Sequence, residues 1–292
     1  MLNKEISSHD YAAFQSFLAD ASGIVLGSGK QYLVTSRLGK LMAEYSIDNV
    51  GDLTKRLKCG TDRRFNERVI DAMTTNETNW FRDVYPFETL KNKVLPEISK
   101  RNRGKIRIWC AASSSGQEPY SISILVQEMM IANPGLLAKQ IEIVGTDISN
   151  TMLSEARAGI YDEMALSRGL TAERRKRYFN KVADGWQVIP EVRNRVTYKE
   201  LNILGSFASL GMFDIIFCRN LLIYFSTESK VDILTRMTKN LSPWGCLFLG
   251  ASESVPPKTA CLTMERCTKG MLYRTEQYQE AISAEKLKGY TA

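Results

Sequence analysis

Residues 106–121 read IRIWCAASSSGQEPYS, and this stretch decides the fold class of the chain. It opens with an apolar, β-prone run, continues through small residues and then enters a helical pattern near Pro119. Proline suits the first turn of a helix because an N–H group there has no helical partner. A strand, a loop of small residues and a helix in this order predict the ligand-binding end of an open α/β sheet, where small side chains let a ligand approach the backbone.

The same alternation continues toward the C-terminus. Strands are predicted at Ile106–Cys110, Ile141–Gly145, Phe213–Phe217 and Cys246–Leu249, with an antiparallel edge strand at Gly270–Arg274. Helices are predicted at Tyr120–Ile131, Thr151–Ala158 and Glu228–Asn240. Strands and helices that alternate in this way are typical of βαβ units, so we expect an α/β domain with a mainly parallel sheet at residues 96–275.

Residues 1–75 lack this alternation and predict a small all-helical domain. Apolar residues recur at helical spacing in stretches that begin at Tyr11, Val34 and Phe65. In the second stretch Lys30, Arg37 and Lys40 share one side and form a candidate docking face, although Glu44 lies among them.

Three further segments complete the predicted organisation. Residues 76–95 form a linker, and residues 276–292 form a polar tail. Between them, the turn signal Ala183–Gly185 separates two strand-like runs, and a Val-rich run follows Pro190. This pattern predicts a small antiparallel β-subdomain inserted at about residues 172–199.

Composition narrows the class of protein. With 292 residues and 44% hydrophobic content, the chain can build a sizeable core. No apolar run approaches the ~20 residues that cross a bilayer, and residues 1–5 have no secretory character. The six cysteines form no CxxC pair and the single histidine, His9, stands alone, so we expect reduced thiols and no metal site. These features predict a soluble, cytoplasmic protein without membrane insertion.

The net charge of +7 admits an acidic partner, which could be nucleic acid, an anionic membrane or an acidic protein face. The densest basic run, Arg174–Arg177, is typical of a solvated helix face. Few aromatic residues interleave with it, which weighs against binding of single-stranded nucleic acid.

The loop that follows the first strand is the first candidate site. Its small residues suit a nucleotide, but Ser115-x-x-Glu118 is also a capping box that any helix can use. The loop has neither a GxGxxG pattern nor a lysine for phosphate, which disfavours a nicotinamide cofactor or a nucleoside triphosphate.

Two other strand ends carry polar residues. Asp147 ends the second strand, where a carboxylate can accept hydrogen bonds from both ribose hydroxyls, although it could instead cap the next helix. Arg219 and Asn220 follow the strand at Phe213–Phe217, where they can point into the crevice of the sheet or tie down a loop. Upstream, Thr74-x-x-Glu77 is a further possible capping box, which predicts a linker that begins a helix.

Taken together, four stretches resemble the CheR-type chemotaxis receptor methyltransferases, in the order found in that family. They are TTNETNWFR at residues 74–82, RIWCAASSSGQEPYS at 107–121, a TDI strand end leading to Gly159-x-Tyr161, and FDIIFCRNLLIYF at 213–225. The chain departs from the family pattern where Ser113, Ser115 and Gln117 replace Cys, Thr and Glu, and where Trp80 replaces Phe. The replacements keep size or polarity, although Gln117 removes one charge.

The resemblance implies a Rossmann-like S-adenosylmethionine methyltransferase domain that follows a helical domain and carries a β-subdomain. It implies transfer of the methyl group to glutamate side chains of methyl-accepting chemotaxis receptors, with their cytoplasmic helical region as the partner. It does not imply nucleic acid, and we expect a monomer. The implied cofactor contacts are Asn76, Thr78, Arg82, Glu118, Asp147, Asn202, Ile203, Arg219 and Asn220, with Glu118 on the ammonium group.

The implied reaction requires no general base, because a glutamate carboxylate with a reference pKa of ~4.3 is already ionised at neutral pH. Catalysis then depends on alignment of the reacting atoms. Arg82 and Tyr224 are the candidates for orienting the carboxylate, although Arg82 could serve only the cofactor. The alternatives are a methyltransferase of the same fold that acts on another protein, a small molecule or RNA, and a non-catalytic S-adenosylmethionine-binding module. The short turn at Asp184 predicts no tether to a receptor's terminal peptide.

Overall fold

A computed structural model describes residues 6–101, 104–135, 140–257, 259 and 261–289, with no side-chain description for residues 284–289. Residues 1–5, part of the N-terminal prediction, and residues 290–292 of the predicted tail lie outside this range. The helices are α1 (Ser8–Ser22), α2 (Gln31–Glu44), α3 (Val50–Cys59), α4 (Arg63–Met73), α5 (Tyr85–Thr89), α6 (Leu95–Arg101), α7 (Gln117–Ala132), α8 (Asn150–Ala158), α9 (Glu163–Ser167), α10 (Ala172–Tyr178), α11 (Pro190–Arg193), α12 (Thr227–Thr238) and α13 (Glu276–Gly289). The strands are β1 (Ile106–Ala111), β2 (Ile141–Asp147), β3 (Ile160–Tyr161), β4 (Phe179–Val182), β5 (Gly185–Val188), β6 (Val196–Glu200), β7 (Phe213–Cys218), β8 (Leu241–Leu249), β9 (Leu262–Cys267) and β10 (Gly270–Thr275).

Helices α1 to α4 form one unit around their own core. Phe14, Leu38, Leu53 and Phe65 are all fully buried there. Side chains of Ser7, Asn49 and Asp62 accept N–H groups at the starts of α1, α3 and α4, which satisfies donors that a helix leaves unpaired. Helix α3 was not among the helices predicted from the sequence, although Val50, Leu53 and Leu57 have helical spacing.

The main sheet has seven strands in the order β6-β2-β1-β7-β8-β10-β9. The pairs from β6 to β8 are parallel, and β10 pairs antiparallel with both β8 and β9. From β1 the chain first adds β2 and β6 on one side and then returns to add β7 and β8 on the other side. Sheets of this kind bind ligands outside the carboxyl ends of the strands, at the point between β1 and β7 where the direction of strand addition changes. The predicted α/β fold class is confirmed.

Two strand predictions need correction. The Val-rich run was placed in the inserted subdomain, but it forms β6 and pairs in parallel with β2 at the edge of the main sheet. The small antiparallel sheet, in the order β3-β5-β4, takes its third strand from Ile160–Tyr161 instead. The strand predicted as the antiparallel edge is β10, and β9 lies outside it.

Both faces of the sheet are covered, so β1 is buried on both sides. Ile108 and Cys110 belong to one core cluster, whereas Trp109 and Ala111 belong to the cluster on the opposite face. The buried Trp109 indole donates a hydrogen bond to Thr146 Oγ1 at 2.9 Å, which satisfies its polar atom. This packing fixes the carboxyl ends of β1 and β2 relative to each other.

The predicted polar tail begins with helix α13, which packs on the end of the sheet. Arg274 in β10 is fully buried and donates hydrogen bonds to Glu265 and Glu97. The Tyr278 hydroxyl in α13 also donates to Glu97, at 2.9 Å. Across the described residues, no helix has both the length and the apolar content needed to cross a membrane.

Candidate active site

A cavity of about 300 Å³ opens at the crevice between the carboxyl ends of β1 and β7. Its walls come from the loops after β1, β2, β6 and β7, from the linker after α4, and from the loop between α1 and α2. All ten predicted site residues line this cavity: Asn76, Thr78, Arg82, Glu118, Asp147, Asn202, Ile203, Arg219, Asn220 and Tyr224.

The loop after β1 turns sharply before α7. Ala112 and Ser114 adopt positive φ angles of 60° and 48°, and Gly116 does so at 96°. A Cβ atom at position 116 would lie 2.7 Å from the Tyr198 hydroxyl, so only glycine fits. The capping-box alternative for Ser115 is wrong, because the N-cap residue of α7 is Gly116, which has no side chain, and the Ser115 hydroxyl donates to Gln117 Oε1 at 2.9 Å.

Asp147 joins the loops that follow β1 and β2. Its Oδ2 accepts the Ser114 N–H at 2.8 Å, and its Oδ1 accepts the Ser149 N–H at 3.0 Å. The alternative that Asp147 caps α8 is wrong, because the cap is Ser149, which accepts the Met152 N–H. Burial raises the pKa of Asp147, and the backbone hydrogen bonds oppose that rise. The carboxylate is therefore held rigidly at the cavity wall.

Arg219 lies at the centre of a buried charge network. Its side chain is 1% exposed and donates to Glu118 Oε2 and to Asp83 Oδ2, each at 2.7 Å. The Nη2 atom also donates to the Arg82 carbonyl oxygen at 2.8 Å. Burial raises the pKa of Glu118, against the effect of Arg219, which lowers it. Arg219 thus connects the linker to the start of α7.

The next residue, Asn220, is held by a carboxylate that the sequence did not indicate. Glu253 Oε2 accepts the N–H groups of Asn220 at 2.7 Å and Gly250 at 2.8 Å, and Oε1 accepts the Ile223 N–H at 3.2 Å. A Cβ atom at position 250 would lie 2.9 Å from both nitrogens of Asn220. Glu253 therefore fixes the segment that leads to Tyr224.

The linker enters the site without forming the helix that its capping pattern predicted. Thr74 ends α4 and its hydroxyl donates to the Asp71 carbonyl, so no helix begins at Thr74. Farther on, Phe81, Asp83 and Val84 all have positive φ angles, between 50° and 66°. Arg82 lies within this turn, and its Nη1 donates to the Glu77 carbonyl at 2.8 Å.

The helical domain contributes one wall of the cavity, and the sequence analysis did not predict this contribution. The Val25 N–H donates to the Tyr224 carbonyl at 2.9 Å, and Asn202 Nδ2 donates to the Ala21 carbonyl at 2.7 Å. Arg37 Nη1 donates to the carbonyls of Met73 and Thr74. The candidate docking face of Lys30, Arg37 and Lys40 is therefore incomplete, because the Arg37 side chain contacts the linker.

The residues of the cavity fit the groups that S-adenosylmethionine presents. Glu118 and Asp147 offer acceptors for an ammonium group and for ribose hydroxyls, and Arg82 and Arg219 offer cations for a carboxylate. The buried Nε of Arg219 has no hydrogen-bond partner within the part of the chain that the structure describes. This is expected where a ligand supplies the hydrogen-bond acceptor. Ile148 and Ile203 provide apolar surface for a ring.

Comparison with known proteins gives the family. A family model described as "CheR methyltransferase, SAM binding domain" matches residues 76–271, and one described as "CheR methyltransferase, all-alpha domain" matches residues 9–74. The chain belongs to the CheR methyltransferase family. This CheR methyltransferase is therefore an S-adenosylmethionine-dependent enzyme, and its family domains meet at the cavity described above.

Two curated relatives of this CheR methyltransferase match over nearly their whole length. Chemotaxis protein methyltransferase 1 of Pseudomonas aeruginosa is 52% identical over 270 residues, which cover 91% of this chain and 98% of that protein. Chemotaxis protein methyltransferase Cher2 of Pseudomonas putida is 50% identical over 269 residues, with the same coverage of 91% and 98%. Among solved structures, magnesium protoporphyrin IX methyltransferase from Synechocystis with bound SAM is 17% identical in sequence, and the match covers 74% of this chain and 91% of that protein. Its TM-score is 0.36, so the family assignment does not rest on it.

Proposed function

We propose that this enzyme transfers the methyl group of S-adenosylmethionine to glutamate side chains in the cytoplasmic helical region of methyl-accepting chemotaxis receptors, forming methyl esters. One observation carries the proposal: the cavity lies where the SAM-binding domain of a CheR methyltransferase meets its all-helical domain. The names of the two Pseudomonas relatives support a role in chemotaxis. We place the enzyme in the cytoplasm, where it meets that region of the receptors.

The cofactor is assigned to the walls by charge and hydrogen-bonding capacity. Glu118 would accept the ammonium group and Asp147 the ribose hydroxyls, because each carboxylate is fixed in the wall by donors from the protein. The remaining contacts are assigned to Asn76, Thr78, Arg82, Asn202, Ile203, Arg219 and Asn220. When bound, the cofactor supplies a sulfonium-activated methyl group that a carboxylate can attack.

The protein's own task is to hold the acceptor carboxylate in line and keep water away. We assign this role to Arg82 and Tyr224, because both residues line the cavity and their side chains can donate hydrogen bonds to a carboxylate oxygen. The backbone of Tyr224 is held by the Val25 N–H, and the backbone of Arg82 is held by Arg219. Both candidates therefore project from segments that other residues fix.

The nature of the product tests the proposal. Incubation with methyl-labelled cofactor and a helical cytoplasmic receptor fragment should label the fragment, and mild base should release the label as methanol because esters hydrolyse in alkali. Changing the acceptor glutamates to alanine or glutamine should abolish labelling, since a neutral amide oxygen is a poor nucleophile. Label that resists base, or that appears on RNA, would assign the acceptor to another class of molecule. Binding of the cofactor without turnover would support a non-catalytic module.

Two variants separate orientation from cofactor binding. Tyr224→Phe removes only the hydroxyl, and Arg82→Ala removes the guanidinium. If these groups orient the acceptor, each variant should lower kcat by more than it lowers affinity for S-adenosylhomocysteine. Equal losses in both quantities for Arg82→Ala would assign that residue to the cofactor alone.

A further inference from the structure

The charges around Glu118 do not cancel within one ion pair. Arg219 is shared between two carboxylates, because Nη1 donates to Glu118 and Nη2 donates to Asp83, each at 2.7 Å. One guanidinium and two carboxylates carry a formal net charge of −1, and the two further charges that act on Glu118, those of Arg82 and Glu253, are of opposite sign. Arg219 is 1% exposed and the Glu118 side chain is 12% exposed, so water screens this charge weakly at the Glu118 end.

Asp83 reaches Arg219 from an unusual backbone position. Phe81, Asp83 and Val84 have φ angles of 50°, 66° and 55°, a region that a β-branched residue such as Val84 rarely adopts. Clustered positive φ angles carry strain that the surrounding structure must hold in place. Here the contacts from Arg219 Nη2 to the Arg82 carbonyl and to Asp83 hold the turn.

We infer that Asp83 is a positioning residue: by taking up half of the Arg219 guanidinium, it leaves Glu118 with an uncompensated negative charge for the ammonium group of the cofactor's amino-acid part. This inference rests on the proposed place of that ammonium at Glu118. Without Asp83, Arg219 would neutralise Glu118 within a simple pair, and an arriving cation would meet no net charge. Asp83 itself is 30% exposed and does not need to touch the ligand.

The test uses the full-length protein and a pair of ligands. S-adenosylhomocysteine carries the amino-acid part, whereas 5′-methylthioadenosine shares the adenosine thioether but lacks that part. Asp83→Asn is the cleanest change, because it removes the charge, keeps the size and places asparagine where positive φ is well tolerated. Asp52→Asn is the matched control, since it removes a carboxylate paired with Lys55 in α3, outside the cavity.

Calorimetry should show that Asp83→Asn weakens S-adenosylhomocysteine about tenfold, or about 1.4 kcal/mol, while 5′-methylthioadenosine keeps its wild-type affinity. Asp52→Asn should change neither. In a Glu118→Gln background, Asp83→Asn should have little further effect, because the charge that it sustains is already gone.

Equal weakening of both ligands by Asp83→Asn, or of neither, would overturn the role of Asp83 and leave the cofactor assignment standing. Full additivity with Glu118→Gln would overturn it as well. By contrast, wild-type protein that binds both ligands equally well would refute the place of the ammonium at Glu118, and the inference for Asp83 with it. If Asp83→Asn does not fold, as judged by its melting curve, the same ligand pair measured on Asp83→Ser gives the required comparison.

Discussion

Replacing Asp147 by asparagine should separate its structural role from its proposed ligand role. In the wild type, Oδ2 accepts the Ser114 N–H and Oδ1 accepts the Ser149 N–H. Asparagine keeps one oxygen and turns an NH₂ group toward the other donor. One backbone hydrogen bond to a charged group is therefore lost, which costs about 1.5–3 kcal/mol of stability. A melting temperature lower by several degrees is the expected structural effect.

The effect on the ligand is separate and of similar size. Asp147→Asn should also leave one ribose hydroxyl without an acceptor, which costs about 1–3 kcal/mol, or roughly 5- to 150-fold in affinity. The assay is calorimetry with S-adenosylhomocysteine and with its 2′-deoxy analogue. The wild type should lose affinity when the hydroxyl is removed from the ligand, whereas the variant should lose much less, because the partner of that hydroxyl is already impaired.

Equal losses from the 2′-deoxy analogue in wild type and variant would refute the reasoning. Asp147 would then serve only to join the loops after β1 and β2. A variant with unchanged melting temperature and unchanged affinity would remove Asp147 from both roles.

Other predictions concern the neighbouring loop, metals and the β-subdomain. Glu253→Gln should lower stability by about 1.5–3 kcal/mol and should also lower cofactor affinity, because an amide cannot accept all three N–H groups that Glu253 now accepts. Thermal melting and calorimetry would check both effects. The control is Glu191→Gln, at an exposed position on α11. Chelators should leave methyl transfer unchanged, and activity that EDTA abolishes and zinc or magnesium restores would contradict this prediction. A receptor's terminal peptide should not bind tightly to the chain, because the turn between β4 and β5 is short; a pull-down that retains the peptide would reverse that expectation.

Local patterns predicted most of the sheet, and the family resemblance supplied most of the residues of the cavity. The apolar runs of β1, β2, β7 and β8 and the polar residues after them are contiguous in sequence, and parallel strands bring their carboxyl ends to one edge. This is why Asp147 and Arg219 could be placed at one edge of the sheet from the residues alone, whereas the cofactor role of Glu118 came only from the family resemblance. The assignment of β6 was wrong because its Val-rich run follows a hairpin and resembles another antiparallel strand, whereas its pairing with β2 depends on distant residues.

The parts of the site that the sequence did not reveal depend on long-range contacts. Arg219 is 136 residues from Asp83 and 101 residues from Glu118, so no local spacing indicated that it is shared between them. The loop between α1 and α2 has no polar motif, and the contact of Val25 with Tyr224 is made by a backbone N–H group, which every residue except proline carries. The Thr74-x-x-Glu77 pattern also occurs without forming a cap, since Thr74 already ends α4.

Because the helical domain forms one wall of the cavity, cofactor binding is coupled to the association of the two domains. A ligand that fills a cavity built from both units gains contacts that exist only while the units are joined, so its binding must oppose their separation by the same free energy. At a ligand concentration 100 times its Kd, the joined state gains about 2.7 kcal/mol over separated units that do not bind the ligand. The two domains would therefore separate less readily when the cofactor is abundant than when it is scarce.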